Sequence, residues 1–120
     1  MYTEKDNKTV RVLGETYSIL FADSDKDKRL TAASADGITD YSIKEIVVGY
    51  FEPGGTSLAD LGEYQRKVIR HEIVHAFLYE SGLAECSGSV GSWATNEEMV
   101  DWIARQHSKL HKAFKEAGCL

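Results

Sequence analysis

The hydrophobic period changes once along this chain, at Glu52-Pro53-Gly54-Gly55, and the change decides what the chain can build. Before it, Tyr17, Ile19 and Phe21 recur at every second position. Ile43, Ile46, Val47, Val48 and Tyr50 are also good strand formers. After it, Leu58, Leu61, Val68, Ile69, Ile73, Ala76 and Phe77 recur at helical spacing. Strands first and helices after predict an α+β domain: a small N-terminal antiparallel or mixed sheet followed by two long helices.

The expected elements follow from local signals. Residues 1–8 read as a flexible polar tail. Residues 9–13 and 16–22 read as a β-hairpin around Gly14-Glu15, and 23–29 as a charged loop. Residues 30–36 have no clear state. A short strand is expected over 37–41 and a stronger one over 42–50. The first helix should start at an N-cap Ser57, run to about Glu80 and end at Gly82 as its C′ residue. Residues 83–94 read as a Gly- and Ser-containing loop. The second helix should run from Thr95, with Thr95-x-x-Glu98 as a capping box, to about Glu116. Met99, Ile103, Leu110 and Phe114 form its expected core arc. Trp93 and Trp102 are expected to anchor it on the first helix.

Composition excludes several classes. The 120 residues suffice for one domain, taken as 1–120. With 14 Lys and Arg against 19 Asp and Glu, the net charge is −5 and no basic stripe exists to neutralise phosphates, so no nucleic-acid partner is expected. No apolar run approaches the ~20 residues of a membrane span. Met1 to Asn7 are polar, so no secretory signal is expected. Two cysteines, Cys86 and Cys119, are too few for a disulfide framework, which predicts a reduced, cytoplasmic protein. Asp23-x-Asp25-x-Asp27 begins like a calcium loop, but Lys28 and Ser34 stand where that loop needs Gly and Glu, so it reads as a solvated loop.

The chemistry lies in His71-Glu72-Ile73-Val74-His75, inside the first long helix. At ~100° per residue the two histidines differ by about 40° and stack on one face, where both imidazoles reach one Zn²⁺. Glu72 lies beside them, near enough to touch a metal-bound water. A catalytic zinc takes three protein ligands and keeps one open position. On the second helix Glu97 and Asp101 are four apart, share a face and border the core arc. Glu97 is assigned as the third ligand, and Asp101 as the carboxylate that orients a ligating histidine. Both acids would also suit an ordinary helix N-terminus. His107 and His111 form a second i,i+4 pair for which no third ligand is apparent. Leu78 and Ser81 stand where a metzincin needs Gly and His, which excludes that class.

His71-Glu72-x-x-His75 followed by Glu97-x-x-x-Asp101 resembles the gluzincin class of zinc metallopeptidases. The form Glu97-x-x-Val100-Asp101-x-Ile103-Ala104 is similar to that of small phage-borne and ImmA/IrrE-type metallopeptidases and of minigluzincins. The segment Gly37 to Val48 is similar to the strand that precedes the metal helix in such proteins. The resemblance covers about residues 36–106. It implies a zincin-like fold, a zinc cofactor, and a peptide or protein substrate.

The resulting expectation is a zinc-dependent peptidase. His71, His75 and Glu97 hold the metal, and Glu72 takes a proton from water and passes it to the leaving amine. Tyr79, one turn beyond His75, is a candidate for contacting substrate or an oxyanion. The substrate would lie along the edge of the sheet, with residues 42–50 as the best candidate edge and residues 83–94 shaping the cleft. Cys86 reads as a small buried loop residue, with a reversible inhibitory ligand as the alternative. The alternative is a catalytically inactive zinc-binding sensor or interaction module of the same fold.

Overall fold

A computed structural model describes residues 1–86 and 93–120, leaving aside the side chains of Cys86 and residues 113–116. Strands β1 (Lys8–Val12) and β2 (Glu15–Asp23) form the expected hairpin. Its two turn residues, Leu13 (φ 49°) and Gly14 (φ 88°), are both left-handed, as the tight two-residue turn between twisted strands requires. Helix α1 (Lys28–Ala33), β3 (Gly37–Asp40) and β4 (Glu45–Tyr50) follow. The sheet is mixed, in the order β1-β2-β4-β3. β4 is parallel to β2, and β3 is antiparallel to β4. The long helices are α2 (Leu61–Glu80) and α4 (Glu97–Glu116), with a four-residue α3 (Leu83–Cys86) after α2. The described fold is therefore α+β, and no helix of the described residues is long and apolar enough to cross a membrane.

The alternation read in β2 sets the core. Tyr17, Ile19 and Phe21 are buried on one face, joined by Val12, Ile46 and Val48, and Val68 and Ala76 of α2 close over them. The buried stripe of α2 is Gln65, Val68, Glu72 and Ala76. Two of these four residues are polar, and each is held by a strand or by the N-terminus.

Several expectations need correction. Residues 1–8 are not a free tail. The buried Gln65 amide accepts from the Tyr2 amide (2.8 Å) and donates to the carbonyls of Tyr2 (2.9 Å) and Gly49 (3.0 Å), so the segment is pinned before β1 begins at Lys8. The acidic loop and the ambiguous residues after it contain α1. Asp27 caps that helix by accepting from the amides of Arg29 and Leu30, and Asp23 accepts from the Asp25 amide, so these carboxylates serve a turn and a cap. Residues 41–44 are a turn, with Lys44 at φ 55°, so Ile43 is exposed and β4 starts only at Glu45. β4 lies between β2 and β3 and is no edge.

The helix ends also moved. Ser57 is taken up in a turn with the Gly54 carbonyl (2.8 Å), which leaves Leu58 exposed. Asp60 caps α2 instead, through the Glu63 amide (2.9 Å). α4 is capped by Asn96, which accepts from the Met99 amide (3.0 Å). Glu98 thus sits at the second helical position and is no partner in a Thr95 box. Among the described side chains of α4, Val100 and Ala104 are buried, because the face turned to α2 is the Glu97–Val100–Asp101–Ala104 face. Met99, Ile103 and Leu110 are half-buried at its flank, and Phe114 lies outside the described side chains. Trp93 (44% exposed) and Trp102 (54%) do not anchor the helix. The Arg70 guanidinium does so by donating to the Ala104 carbonyl at 2.7 Å. Of the expected 83–94 loop, residues 83–86 are α3 and 93–95 are a 3-10 turn. Residues 87–92 and the Cys86 thiol lie outside what is described.

Candidate metal centre

The helix repeat puts His71 and His75 on one face of α2, with ring centroids 4.9 Å apart. The α2–α4 packing then brings Glu97, at the first turn of α4, over that face. His71 Nε2 lies 2.9 Å from Glu97 Oε2, and His75 Nε2 lies 3.1 Å from Glu97 Oε1. Among the described residues these three offer one group of ligand atoms, all within 4.8 Å of one another. Both imidazoles are mostly buried, and burial holds the His75 ring below the usual histidine range. Glu97 is 70% exposed at the mouth of the site.

Asp101 stands behind His71. Its Oδ1 is 3.2 Å from His71 Nδ1 and 3.1 Å from Lys67 Nζ, and its Oδ2 is 2.7 Å from Arg105 Nε. Burial works against this carboxylate, but the hydrogen bonds from Arg105, Lys67 and His71 together hold it well below the usual range. An ionised carboxylate only accepts, so His71 Nδ1 must carry the proton. The Nε2 lone pair of a neutral His71 then faces a carboxylate oxygen at 2.9 Å.

The Glu72 carboxyl lies beside the histidines on the sheet side of the cleft, bound by Thr39 of β3. Glu72 is 6% exposed. The Thr39 hydroxyl reaches its Oε2 (2.7 Å) and its backbone carbonyl (3.0 Å). Burial raises the Glu72 carboxyl above the usual range, against the Thr39 bond and the field of His71. Glu72, His71, His75 and Glu97 line one cleft of about 470 Å³ together with Gly37, Thr39, Tyr64 and Tyr79. Tyr79 lies where the sequence placed it, one turn past His75, with its ring stacked on Tyr41 (4.5 Å, 17°). His107 and His111 are exposed on α4, and neither belongs to the ligand group.

Of the residues expected at the centre, His71, His75, Glu97 and Asp101 lie in contact with one another, while the Glu72 carboxyl lines the same cleft and is bound by Thr39. Sequence reasoning missed Lys67, Arg105, Thr39 and Gly37. Arg105 is four residues after Asp101, so i,i+4 pairing was a usable signal for it, whereas the partner of Lys67 is 34 residues away. A glycine opening a strand also signals close backbone approach. Thr39 carried no signal, because its partner is 33 residues away. Comparison with protein-family models, curated proteins and solved structures returned no match.

Proposed function

We propose that this chain is a zinc-dependent peptidase of the minimal gluzincin kind, with a zincin-like fold. The observation that carries the proposal is the convergence of two imidazole Nε2 atoms on the two oxygens of one carboxylate, while the opposite nitrogen of His71 is committed to Asp101. Two imidazoliums 4.9 Å apart would repel each other, and a single divalent cation satisfies all three donors.

The donor set fits zinc. A tetrahedral zinc with ligands at about 2.0–2.1 Å places them roughly 3.3 Å apart. The two histidine–carboxylate separations, 2.9 and 3.1 Å, would open by a few tenths of an ångström, and the three ligand atoms, spread over 4.8 Å, would draw together around the ion. His71, His75 and Glu97 would hold the ion, and Asp101 would fix the His71 tautomer. When bound, zinc supplies Lewis acidity, polarising a carbonyl and acidifying a water. Glu72 accepts a proton from the attacking water and delivers it to the leaving amine, a task suited by a carboxyl whose affinity for protons burial has raised. An extended peptide would add to the open edge of β3, which lines the cleft, rather than to β4. Tyr79, backed by the Tyr41 ring stacked on it, would wall one side of that cleft.

The burial of Glu72 also favours a second reading, an inactive zinc-binding module of the same fold. Glu72→Gln separates them. Untagged protein should contain one zinc by elemental analysis, and the variant should keep it. Cleavage of a mixed peptide library by wild type, lost in Glu72→Gln, supports the peptidase. Stoichiometric zinc with no cleavage by wild type supports the module, and protein that cannot be loaded with zinc overturns both.

A further inference from the structure

Strand β3 touches the site through Gly37 and Thr39, whose side-chain positions share one face of the strand. The Thr39 hydroxyl donates to Glu72 Oε2 at 2.7 Å and lies 3.0 Å from the Glu72 carbonyl. A Cβ on Gly37 would stand 2.7 Å from Val68 Cγ1, 2.9 Å from Glu72 Cγ and 3.1 Å from Glu72 Oε1. The Glu72 side chain is therefore packed between a hydroxyl that binds it and a backbone that leaves room for it.

The same two residues face the open edge with their backbones. The Asp36 carbonyl accepts from the Gly49 amide at 2.8 Å, and the register continues with Gly37 opposite Val48 and Thr39 opposite Ile46. Hydrogen-bonded and non-hydrogen-bonded pairs alternate along an antiparallel ladder. The Asp36–Gly49 bond thus assigns Ile38 and Asp40 to β4. It turns the amides and carbonyls of Gly37 and Thr39 outward, to the side on which no further strand of the described residues lies.

We propose that β3 couples peptide docking to the placement of Glu72: the residues that would hydrogen-bond an added peptide strand, Gly37 and Thr39, are those that hold the Glu72 carboxylate. Thr39 is then a positioning residue, and Gly37 is the only residue type that leaves Glu72 its place. This rests on the peptidase reading for its docking half, whereas the support of Glu72 by Thr39 and Gly37 does not.

The test uses zinc-loaded full-length protein, the peptide that wild type cuts fastest from a proteome-digest library, and the variants Thr39→Val and Thr39→Ser. Thr39→Val should lower kcat at least ~10-fold, part of the ~10²–10⁴-fold a placed base contributes. KM should stay within about twofold, the pattern of an interaction made in the transition state. Thr39→Ser should restore most of the loss. Metal-free crystal structures give a readout independent of turnover. The Glu72 carboxylate should leave its position in Thr39→Val and keep it in Thr39→Ser, and Thr39→Ala replaces the valine variant if that one does not fold. An unmoved carboxylate, or a wild-type kcat in Thr39→Val, overturns the proposal. A wild type that cuts no library peptide overturns the peptidase reading and the docking half, and the crystal comparison then decides the Glu72 half by itself.

Discussion

Asp101→Ala is the most informative single change, because three donors lose one acceptor. Their exposures differ, so the losses can be ranked. Arg105 is 59% exposed, and its 2.7 Å bond is worth under ~1 kcal/mol against solvent. Lys67 is only 17% exposed, and stranding its ammonium costs about 1–3 kcal/mol. His71 loses the partner that keeps its proton on Nδ1, and loss of such a partner lowers metal affinity about 10–100-fold. The expectation is that metal-free Asp101→Ala loses about 2–3 kcal/mol in urea unfolding. Its zinc affinity, read by competition with a chromophoric chelator, should fall by about 1.4–2.7 kcal/mol. Arg105→Ala is the control and should leave zinc affinity within about twofold, since Arg105 itself is 59% exposed and Lys67 and His71 still hold Asp101. The sign with pH follows from the depressed Asp101 carboxyl. Its contribution is complete above the ordinary carboxylate range, near about 4, and is lost as pH falls toward the lower folded value. The gap between wild type and variant should therefore narrow in acid. Unchanged zinc affinity in Asp101→Ala, or an equal loss in Arg105→Ala, refutes the role of Asp101 in setting the His71 tautomer.

Other outcomes can be checked beside it. Glu97→Ala should abolish stoichiometric zinc by elemental analysis, whereas Glu98→Ala, exposed and outside the cap, should leave both zinc and stability unchanged to within about 0.5 kcal/mol. Asn96→Ala removes the α4 cap and should cost about 1 kcal/mol in thermal unfolding. Gln65→Leu breaks three hydrogen bonds. It should release residues 2–6 to fast amide exchange at a cost of about 1–3 kcal/mol; retained protection would show that the segment is held by its aromatic contacts instead. Burial and the bond to Asp36 push the Tyr64 phenol up to about 12. The stability it contributes is complete below the ordinary tyrosine value of about 10 and is lost as pH rises through about 12, so Tyr64→Phe should flatten the alkaline fall seen by circular dichroism.

The local parts of this protein were legible in its residues. His71, Glu72 and His75 take their relative directions from helix geometry alone, and Glu97 and Asp101 share a face by the same periodicity. The β1–β2 hairpin could be read because Tyr17, Ile19 and Phe21 alternate and a glycine stands at its turn. Caps were less legible. Ser57, Asp60, Thr95 and Asn96 are all competent cap residues, and the choice among them depends on how tightly the preceding turn closes, as the Ser57–Gly54 contact shows. The tryptophans misled because size suggested burial. The α2–α4 contact is instead made by Arg70 on the Ala104 carbonyl and by Lys67 and His71 on Asp101, on the face where Val100 and Ala104 are buried.

Sequence alone determined the donor types, their one-turn spacing, and the change from strand period to helix period at Pro53. These depend on covalent geometry and on residues at most a few positions apart. Tertiary structure decided which strand is the edge, what holds Glu72, and whether the two helices meet at the histidines. Whether β4 is an edge depends on β3 folding back against it, which four residues, Gly37 to Asp40, with no buried side chain among them do not announce. The Thr39–Glu72 bond joins residues 33 apart, and the Gln65 clamp on Tyr2 joins residues 63 apart. Such contacts leave no periodic trace in a chain, because a hydroxyl or an amide at one position is compatible with many partners until packing selects one.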